Sequence, residues 1–315
     1  THHPDSMTRM DRMSKTPSNS PQRTPPSVIG FIGLGVMGEP MCRHLAQKLN
    51  TRVVAHDLSA APLQRLAMAG VEAQASASAV MDQSDVVFLS LPSGEIVEGL
   101  CRQPDGLLAH ARAGQVVVDL STSPVETTRT LHKAFAAHHA LWVDAPVART
   151  RAAAESGTLA VMVGAEPDEF ASIQPLLATF ASDITLCGPV GCGQVLKILN
   201  NMVLFETVVA LSEAKAIGEK SGVAPEALFE TLSKGSADSF ALRNHGMKAI
   251  VPGEFPERAF SVQYALKDLK YALQLAQDTG VPARGAQVVE AWFEQALEAG
   301  LGEHYHPVIS RLIAR

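Results

Sequence analysis

The stretch that decides the fold runs from residue 28 to residue 38 and reads Val28-Ile29-Gly30-Phe31-Ile32-Gly33-Leu34-Gly35-Val36-Met37-Gly38. Its first five residues form a short apolar run of the kind that makes a buried strand. The glycines that follow have the spacing G-x-G-x-x-G, and a helical pattern continues from there to Leu49. A strand, a glycine turn and a helix in this order predict the opening of a βαβ unit.

Each glycine of this turn has its own physical task. Gly33 allows the tight turn, Gly35 lets a pyrophosphate approach the backbone, and Gly38 lets the helix pack closely against the strand. The start of the helix offers free N–H groups and a partial positive charge to phosphates. The residues predicted to bind a dinucleotide are Gly33, Leu34, Gly35, Val36, Met37 and Gly38. The alternative is a glycine-rich turn that holds no ligand.

Asp57 follows the second predicted strand, about 20 positions beyond the glycine turn. A carboxylate at this place accepts hydrogen bonds from the adenosine ribose and repels a 2′-phosphate. Asp57 therefore predicts NAD as the cofactor, with NADP less favoured. The alternative is that Asp57 only caps the helix that begins near Ala60.

Short β-branched runs alternate with helical stretches as far as Pro189. The predicted strands are residues 28–32, 52–55, 85–89, 115–120, 141–144, 159–163 and 183–186. Strands that alternate with helices of this length indicate a mainly parallel sheet. After Gly193 only helices are predicted, beginning with one long helix over 194–221 and continuing at 225–233, 261–277 and 286–298.

These patterns predict an α/β fold: an N-terminal Rossmann-type doubly wound sheet, a long interdomain helix and an all-α C-terminal domain. The predicted units are a flexible tail over 1–26, a dinucleotide-binding domain over 27–190, and a helical substrate and dimerisation domain over 191–315.

Composition excludes some classes of function. The net charge of −6 comes without a basic run, which disfavours a nucleic-acid partner. No apolar run reaches the roughly 18 residues that a membrane-spanning helix needs. None of the four cysteines forms a C-x-x-C pair, which points to a reducing, cytoplasmic environment without disulfides.

Lys197 is the candidate for proton transfer. Lys197 and Asn201 are four residues apart in the long helix, so they lie on one face, and Asn200 lies close to that face. Apolar neighbours would desolvate the ammonium and lower its pKa toward neutrality, as acid–base catalysis requires. The alternative is a lysine whose stem packs on the core while its charged end reaches water.

Several separated motifs, in this order along nearly the whole chain, resemble the β-hydroxyacid dehydrogenases, which include 3-hydroxyisobutyrate dehydrogenase and tartronate semialdehyde (2-hydroxy-3-oxopropionate) reductase. The motifs are residues 30–41, Asp119-Leu120-Ser121-Thr122, Asp144-Ala145-Pro146-Val147, Gly157-Thr158-Leu159, residues 191–201 and Lys267-Asp268-Leu269. The resemblance implies an NAD(P)-dependent oxidoreductase that acts on a small 3-hydroxy acid or semialdehyde acid. It also implies a homodimer or higher homo-oligomer.

The resemblance also implies roles for single residues. Lys197 is the general acid and base, which protonates the carbonyl oxygen when the carbonyl carbon receives hydride. The residues implied to contact the substrate are Ser121, Thr122, Asn200 and Asn201, and those implied to border the cofactor are Leu91, Pro92, Thr122 and Lys267. Simple turn chemistry for the loops, and an ordinary salt-bridged lysine at 267, are the alternatives. An Arg often stands at the position of Asp57 in the tartronate semialdehyde reductases, so this departure supports NAD.

The largest departure from the family is Ala148-Arg149-Thr150, where most relatives have Ser-Gly-Gly. The guanidinium of Arg149 suits an anion, and sulfolactaldehyde reductases have a similar loop. We therefore expect Arg149, with Thr150, to contact a carboxylate or sulfonate of the substrate, although Leu204 weakens the sulfonate alternative. An exposed loop arginine is the other interpretation. His304-x-His306 suggests a metal, but no third ligand is evident and no metal is expected.

Two further classes of protein share this topology. One is a dinucleotide-binding protein without catalysis, and the other is an imine reductase. Proteins of both classes often lack the lysine, so the presence of Lys197 argues against them.

Overall fold

The computed structural model of the protein describes residues 24–257 and 259–315. Most of the predicted flexible tail, residues 1–23, therefore lies outside the described residues.

A single mixed sheet forms the first half of the molecule. Its strands are β1 (Val28–Ile32), β2 (Arg52–His56), β3 (Glu72–Ala73), β4 (Val86–Leu89), β5 (Val116–Asp119), β6 (Leu141–Asp144), β7 (Val147–Ala148), β8 (Leu159–Gly164) and β9 (Ala181–Gly188). The order is β3-β2-β1-β4-β5-β6-β8-β7, with β9 beside β8. The first six strands are parallel, and the direction of strand order reverses between β1 and β4.

The central strands are apolar on both faces because helices cover both. Val86–Leu89 and Val116–Asp119 are buried throughout, as expected for a parallel sheet that lies between two layers of helices. The covering helices are α1 (Gly38–Lys48), α2 (Ala60–Ala67), α3 (Ala77–Gln83), α4 (Gly94–Arg102), α5 (Val125–Ala136), α6 (Arg151–Ser156) and α7 (Pro167–Leu177). The predicted doubly wound sheet is thereby confirmed.

All seven predicted strands are present, and the two that the sequence did not predict are β3 and β7. Each of these has only two residues, too few for a visible alternation. β8 runs antiparallel to β6 and β7, so the sheet continues beyond the parallel part.

Helix α8 (Cys192–Lys220) has 29 residues and connects the two halves of the molecule. It packs against β8 and β9 near its start, and against α10 and α11 further along. By length and mean hydropathy, 1.5 over 18 residues, it is apolar enough to cross a membrane, contrary to the prediction. Its buried residues, among them Ile198, Phe205 and Val208, lie in the cores of this protein. Packing within the protein therefore accounts for part of its apolar composition, and other apolar side chains of α8 are exposed, among them Val203 and Ile217.

From Cys192 onward the described residues form helices and two isolated bridges, and no further strand. The helices after α8 are α9 (Pro225–Leu232), a π-helix (Leu242–Ile250), α10 (Val262–Thr279), α11 (Arg284–Glu298), a short 3₁₀-helix (His306–Ile309) and α12 (Ser310–Ile313). They enclose a second core built around Phe205, Phe229 and Phe293. The predicted all-helical domain is confirmed, and the π-helix is the element that periodicity did not predict.

Candidate active site

The glycine turn lies where the strand order reverses, which is where ligands bind in open α/β sheets. Gly33 has a φ of 93°, and a Cβ there would lie 2.2 Å from the carbonyl oxygen of Ser90. A Cβ on Gly38 would lie 2.1 Å from the carbonyl oxygen of Gly33. A Cβ on Gly35 would meet nothing within 4 Å. Gly33 and Gly38 are thus required by packing, whereas Gly35 borders open space.

The other residues of the turn divide by exposure. Leu34 is buried in the core of the sheet, whereas the side chain of Val36 is 56% exposed beside the open turn. Met37 caps the start of α1 through its backbone, without a side-chain hydrogen bond. No side chain therefore caps the start of α1, although the N–H of Glu39 donates to the carbonyl of Gly35 at 3.0 Å.

Asp57 lies beside the glycine turn. Its Oδ2 accepts the N–H of Leu34 at 2.6 Å and its Oδ1 accepts the N–H of Ser59 at 2.7 Å. Ser59 occupies the cap position of α2 without a side-chain cap bond, and Asp57 contacts both the start of this helix and the glycine turn. The carboxylate lies directly after the end of β2, beside the glycine turn.

A continuous series of contacts leads from the glycine turn to α8. The segment that follows β4 packs on Gly33 through Ser90 and Leu91. We name it the β4 loop (residues 90–95), which includes the first two residues of α4. The N–H of Leu91 donates to Ser121 Oγ at 2.9 Å. The carbonyl of Ser121 accepts Nε2 of the buried Gln194 at 2.8 Å. Gln194 lies one turn before Lys197 on α8, so these contacts join the turn to the candidate catalytic helix.

Asp144 holds the first turn of α8. Its Oδ1 accepts the N–H of Gly191 at 2.7 Å and its Oδ2 accepts the N–H of Gln194 at 2.8 Å. Burial raises the pKa of Asp144 to about 6, against the effect of these N–H donors, so the carboxylate is ionised at neutral pH. A negative charge at a helix N-terminus is favourable. A Cβ on Gly193 would lie 2.4 Å from the carbonyl oxygen of Met162, so only glycine fits there.

Lys197 is half-buried on α8, one turn beyond the part that Asp144 holds. Its ammonium has no hydrogen-bond or ion-pair partner among the residues that the structure describes. Burial lowers the pKa of Lys197, the charge of Asp268 opposes this, and the charge of Lys267 adds to it. A half-buried, unpaired amine of lowered pKa suits proton transfer.

The helix α10 supplies charged groups beside Lys197. Nδ2 of the buried Asn201 donates to Asp268 Oδ2 at 2.8 Å, and Nζ of Lys267 lies 3.1 Å from Asp268 Oδ1. Nζ of Lys267 also donates to the carbonyl of Pro92 at 2.9 Å, in the β4 loop. Asn200 is exposed, and its amide donates to Asn201 Oδ1 at 3.2 Å. Lys267 thus connects the predicted cofactor edge with the surroundings of Lys197.

Arg149 has partners that differ from the one predicted. Its guanidinium donates to the carbonyl of Thr158 at 2.7 Å, to Ser182 Oγ at 2.8 Å and to Asp183 Oδ2 at 2.7 Å. The positive charge of Arg149 is therefore paired with a carboxylate of the protein itself, that of Asp183. Its φ of 88° lies in the left-handed region, where a residue other than glycine is strained.

The remaining predicted substrate residues have simple surroundings. Thr150 caps α6, since its side chain accepts the N–H of Ala153 at 3.3 Å. Thr122 is half-buried. The side chains of its neighbours Ser121 and Ser123 form hydrogen bonds within the protein. Ser121 donates its backbone N–H to the buried Asp119 at 2.9 Å.

Sequence reasoning quoted four buried polar residues within motifs but gave them no part in holding the site together: Asp119, Asp144, Gln194 and Asp268. One signal could have found the first two, because each is an acid at the end of an otherwise apolar strand. Buried carboxylates need partners, and at this edge of the sheet the partners are loop and helix N–H groups. Gln194 and Asp268 have no comparable signal, because their partners come from distant segments.

No group of three or more His, Cys, Asp or Glu side chains that could hold a metal ion occurs among the described residues. His306 is fully buried, and its ring lies against those of Phe205 and Phe260. The four cysteines, all in the described ranges, are free.

Comparison with known protein families gives two matches that together cover residues 28–313. A family model described as the NAD-binding domain of 6-phosphogluconate dehydrogenase matches residues 28–188. A second, described as NAD-binding of NADP-dependent 3-hydroxyisobutyrate dehydrogenase, matches residues 191–313.

Individual proteins are similar over most of the chain. The 2-(hydroxymethyl)glutarate dehydrogenase of Eubacterium barkeri is 36% identical over 274 residues, which are 87% of this chain and 90% of that protein. The 3-hydroxyisobutyrate dehydrogenase of Pseudomonas aeruginosa is 35% identical over 79% of this chain and 85% of that protein. A solved structure of the Mycobacterium tuberculosis 3-hydroxyisobutyrate dehydrogenase with L-serine has a TM-score of 0.84 at 28% identity, over 92% of this chain and 99% of that one.

Proposed function

Because the chain belongs to the β-hydroxyacid dehydrogenase family and is therefore an NAD(P)-dependent oxidoreductase, we propose that it interconverts a 2-substituted 3-hydroxypropionate and its semialdehyde, with Lys197 as the general acid and base. Three compounds in the names of its relatives support this substrate class. They are 2-(hydroxymethyl)glutarate, 3-hydroxyisobutyrate and L-serine. All three have a hydroxymethyl group on the carbon that bears a carboxylate.

The observation that carries the proposal is the unpaired amine of Lys197 on a helix that buried contacts join to the glycine turn. Bound nicotinamide supplies the acceptor of hydride in the oxidation and its donor in the reduction. In the oxidation the neutral amine takes the proton of the substrate hydroxyl as the carbon loses hydride. In the reduction the ammonium returns that proton to the carbonyl oxygen.

The residues proposed to hold the reactants lie around this amine. The glycine turn, Asp57, the β4 loop and Lys267 are proposed to hold the cofactor. Ser121, Thr122, Asn200 and Asn201 are proposed to orient the carboxylate and hydroxyl of the substrate. The loop that contains Arg149 and Thr150 is proposed to contact the variable substituent of the substrate. In this loop the chain departs from the Ser-Gly-Gly of most relatives.

A substrate panel tests the proposed class. NADH formation would be measured with 3-hydroxyisobutyrate, 2-(hydroxymethyl)glutarate, L-serine and glycerate, and NADH consumption with tartronate semialdehyde, methylmalonate semialdehyde, succinic semialdehyde and sulfolactaldehyde. L-lactate and 1-propanol are the controls, since the first has its hydroxyl on the wrong carbon and the second has no carboxylate. At least one 3-hydroxy acid should exceed both controls in kcat/KM by about a hundredfold or more. A preference for lactate would contradict the proposal.

The cofactor preference gives a second expected result. Wild-type kcat/KM should be higher with NAD than with NADP, because the Asp57 carboxylate repels a 2′-phosphate. The variant Asp57→Ala should lose about tenfold with NAD, since it loses an acceptor for the ribose and frees the N–H of Leu34. Ser59→Ala is the matched control, because the Ser59 side chain makes no cap bond. A wild-type ratio of NAD to NADP efficiency below one would refute the preference.

The predicted homodimer stays a prediction. It is supported by exposed apolar side chains along α8, namely Leu196, Val203 and Ile217, because exposed apolar surface is typical of subunit interfaces.

A further inference from the structure

The helix α10 contacts the β4 loop through a tyrosine that neither the proposed chemistry nor the sequence motifs use. The N–H of Gly94 donates to Tyr271 Oη at 3.2 Å, and Tyr271 Oη donates to Glu95 Oε2 at 3.2 Å. Tyr271 is 8% exposed, so this hydroxyl lies in a buried contact between the two halves of the molecule. Both hydrogen-bonding functions of the hydroxyl are thereby used.

The hydroxyl of Tyr271 contacts the backbone at the start of α4. Gly94 is the first residue of α4, and the first N–H groups of a helix have no partner within it. Here the acceptor is a side chain from the helical domain. A Cβ on Gly94 would lie 2.2 Å from Cδ of Pro124, so the backbone is also held closely from its other side. The position of the β4 loop therefore depends on α10.

The same face of α10 reaches the surroundings of the catalytic lysine. Tyr271 lies four residues after Lys267 and three after Asp268, so its side chain neighbours both of theirs on the helix. Lys267 donates to the carbonyl of Pro92, and Nζ of Lys267 lies 5.5 Å from the ring centre of Tyr271. Asp268 accepts the amide of Asn201, one turn beyond Lys197. One rigid helix thus contacts both the predicted cofactor edge and the predicted proton-transfer site.

We propose that Tyr271 is a positioning residue, whose hydroxyl holds the β4 loop against α10 and so sets the separation between the cofactor edge and Lys197. The inference rests on the proposed function, because it gives the β4 loop a place beside the cofactor. Burial raises the pKa of Tyr271, so the hydroxyl keeps its proton and continues to donate to Glu95 across the neutral range. A phenylalanine fills the same space but leaves the buried N–H of Gly94 without a partner.

The experiment uses Tyr271→Phe with two readouts that need no turnover. The Kd for NADH, or for NADPH if that binds more tightly, would be measured by fluorescence titration. Deuterium exchange would be followed in the peptide that covers residues 91–95. We expect the Kd to rise about tenfold, which corresponds to the loss of about one buried hydrogen bond. Exchange in this peptide should become faster, while exchange around residues 197–201 stays unchanged.

The matched control is Tyr305→Phe. Its hydroxyl contacts His245, so it makes the same chemical change within the helical domain, away from the β4 loop. A Tyr305→Phe variant with wild-type NADH affinity, beside a weakened Tyr271→Phe, would show that general loss of stability is not the cause. Equal weakening in both variants would overturn the inference.

Further outcomes separate the inference from the proposed function. An NADH affinity within twofold of wild type in folded Tyr271→Phe would overturn the positioning role and leave the proposed function intact. Failure of the wild type to bind either nucleotide would refute both. If Tyr271→Phe does not fold, Glu95→Ala decides, because Glu95 is exposed and its loss leaves the core intact. About threefold weaker binding in Glu95→Ala would support the inference, and unchanged binding would overturn it.

Discussion

Lys197→Ala should lower kcat by about a thousandfold in both directions and leave the Kd for NADH within about twofold of wild type. General acid–base catalysis contributes roughly two to four powers of ten, and the amine makes no contact that holds the described structure together. Initial rates with the best substrate of the panel, together with a fluorescence titration of NADH, measure the two effects. Normal turnover in this variant would refute the assigned role.

The matched control for this variant is Lys215→Ala. Lys215 lies on the same helix and pairs with Glu219 at 3.0 Å at the surface. Such pairs contribute little, so turnover should remain at the wild-type level. Lys197→Arg keeps the positive charge but cannot release its proton, so it should also lose the oxidation.

The same lysine sets the sign of the pH dependence. Burial lowers the pKa of Lys197 below that of free lysine. The oxidation needs the neutral amine, so its rate should rise about tenfold per pH unit below this pKa and level off above it. The reduction needs the ammonium, so its rate should fall as pH rises through the same value. A pH profile of the oxidation that is flat below the pKa would contradict this assignment.

Asp144→Asn should lower the free energy of unfolding by about 3 kcal/mol and lower kcat by at least about tenfold. The side-chain oxygen of an asparagine can accept the N–H of either Gly191 or Gln194. Its NH₂ group then faces the remaining N–H, which loses its acceptor. It also removes a negative charge from the start of α8. Urea unfolding and initial rates measure the two effects.

A second asparagine variant distinguishes this cap from a general loss of charge. Asp278 is exposed near the end of α10, and its contact is with Gln274 on the same helix. Asp278→Asn should change stability by less than about 0.5 kcal/mol and leave turnover unchanged. If Asp144→Asn behaved in the same way, the start of α8 would not depend on the carboxylate.

Local patterns in the sequence were sufficient to predict the strands, the doubly wound sheet and the change to an all-helical second half. The reason is that burial on both faces of a sheet, or on one face of a helix, leaves a period that neighbouring residues share. Gly33, Gly35 and Gly38 were readable because they have a fixed spacing within one short turn, although Gly33 also packs against Ser90 of a distant segment. The two-residue strands β3 and β7, and the π-helix, are too short or too irregular to leave such a period.

Tertiary structure alone decided which polar groups meet. Arg149 is paired with Asp183, 34 residues later in the chain, although its chemistry alone favoured a substrate anion. Asp268 meets Asn201 across 67 residues, and Tyr271 meets Glu95 across 176. Residues so far apart leave no common pattern in one sequence, because their contact depends on how whole helices pack. The sequence by itself therefore determined the fold and pointed to Lys197 as the candidate for proton transfer. Packing determined which groups surround Lys197.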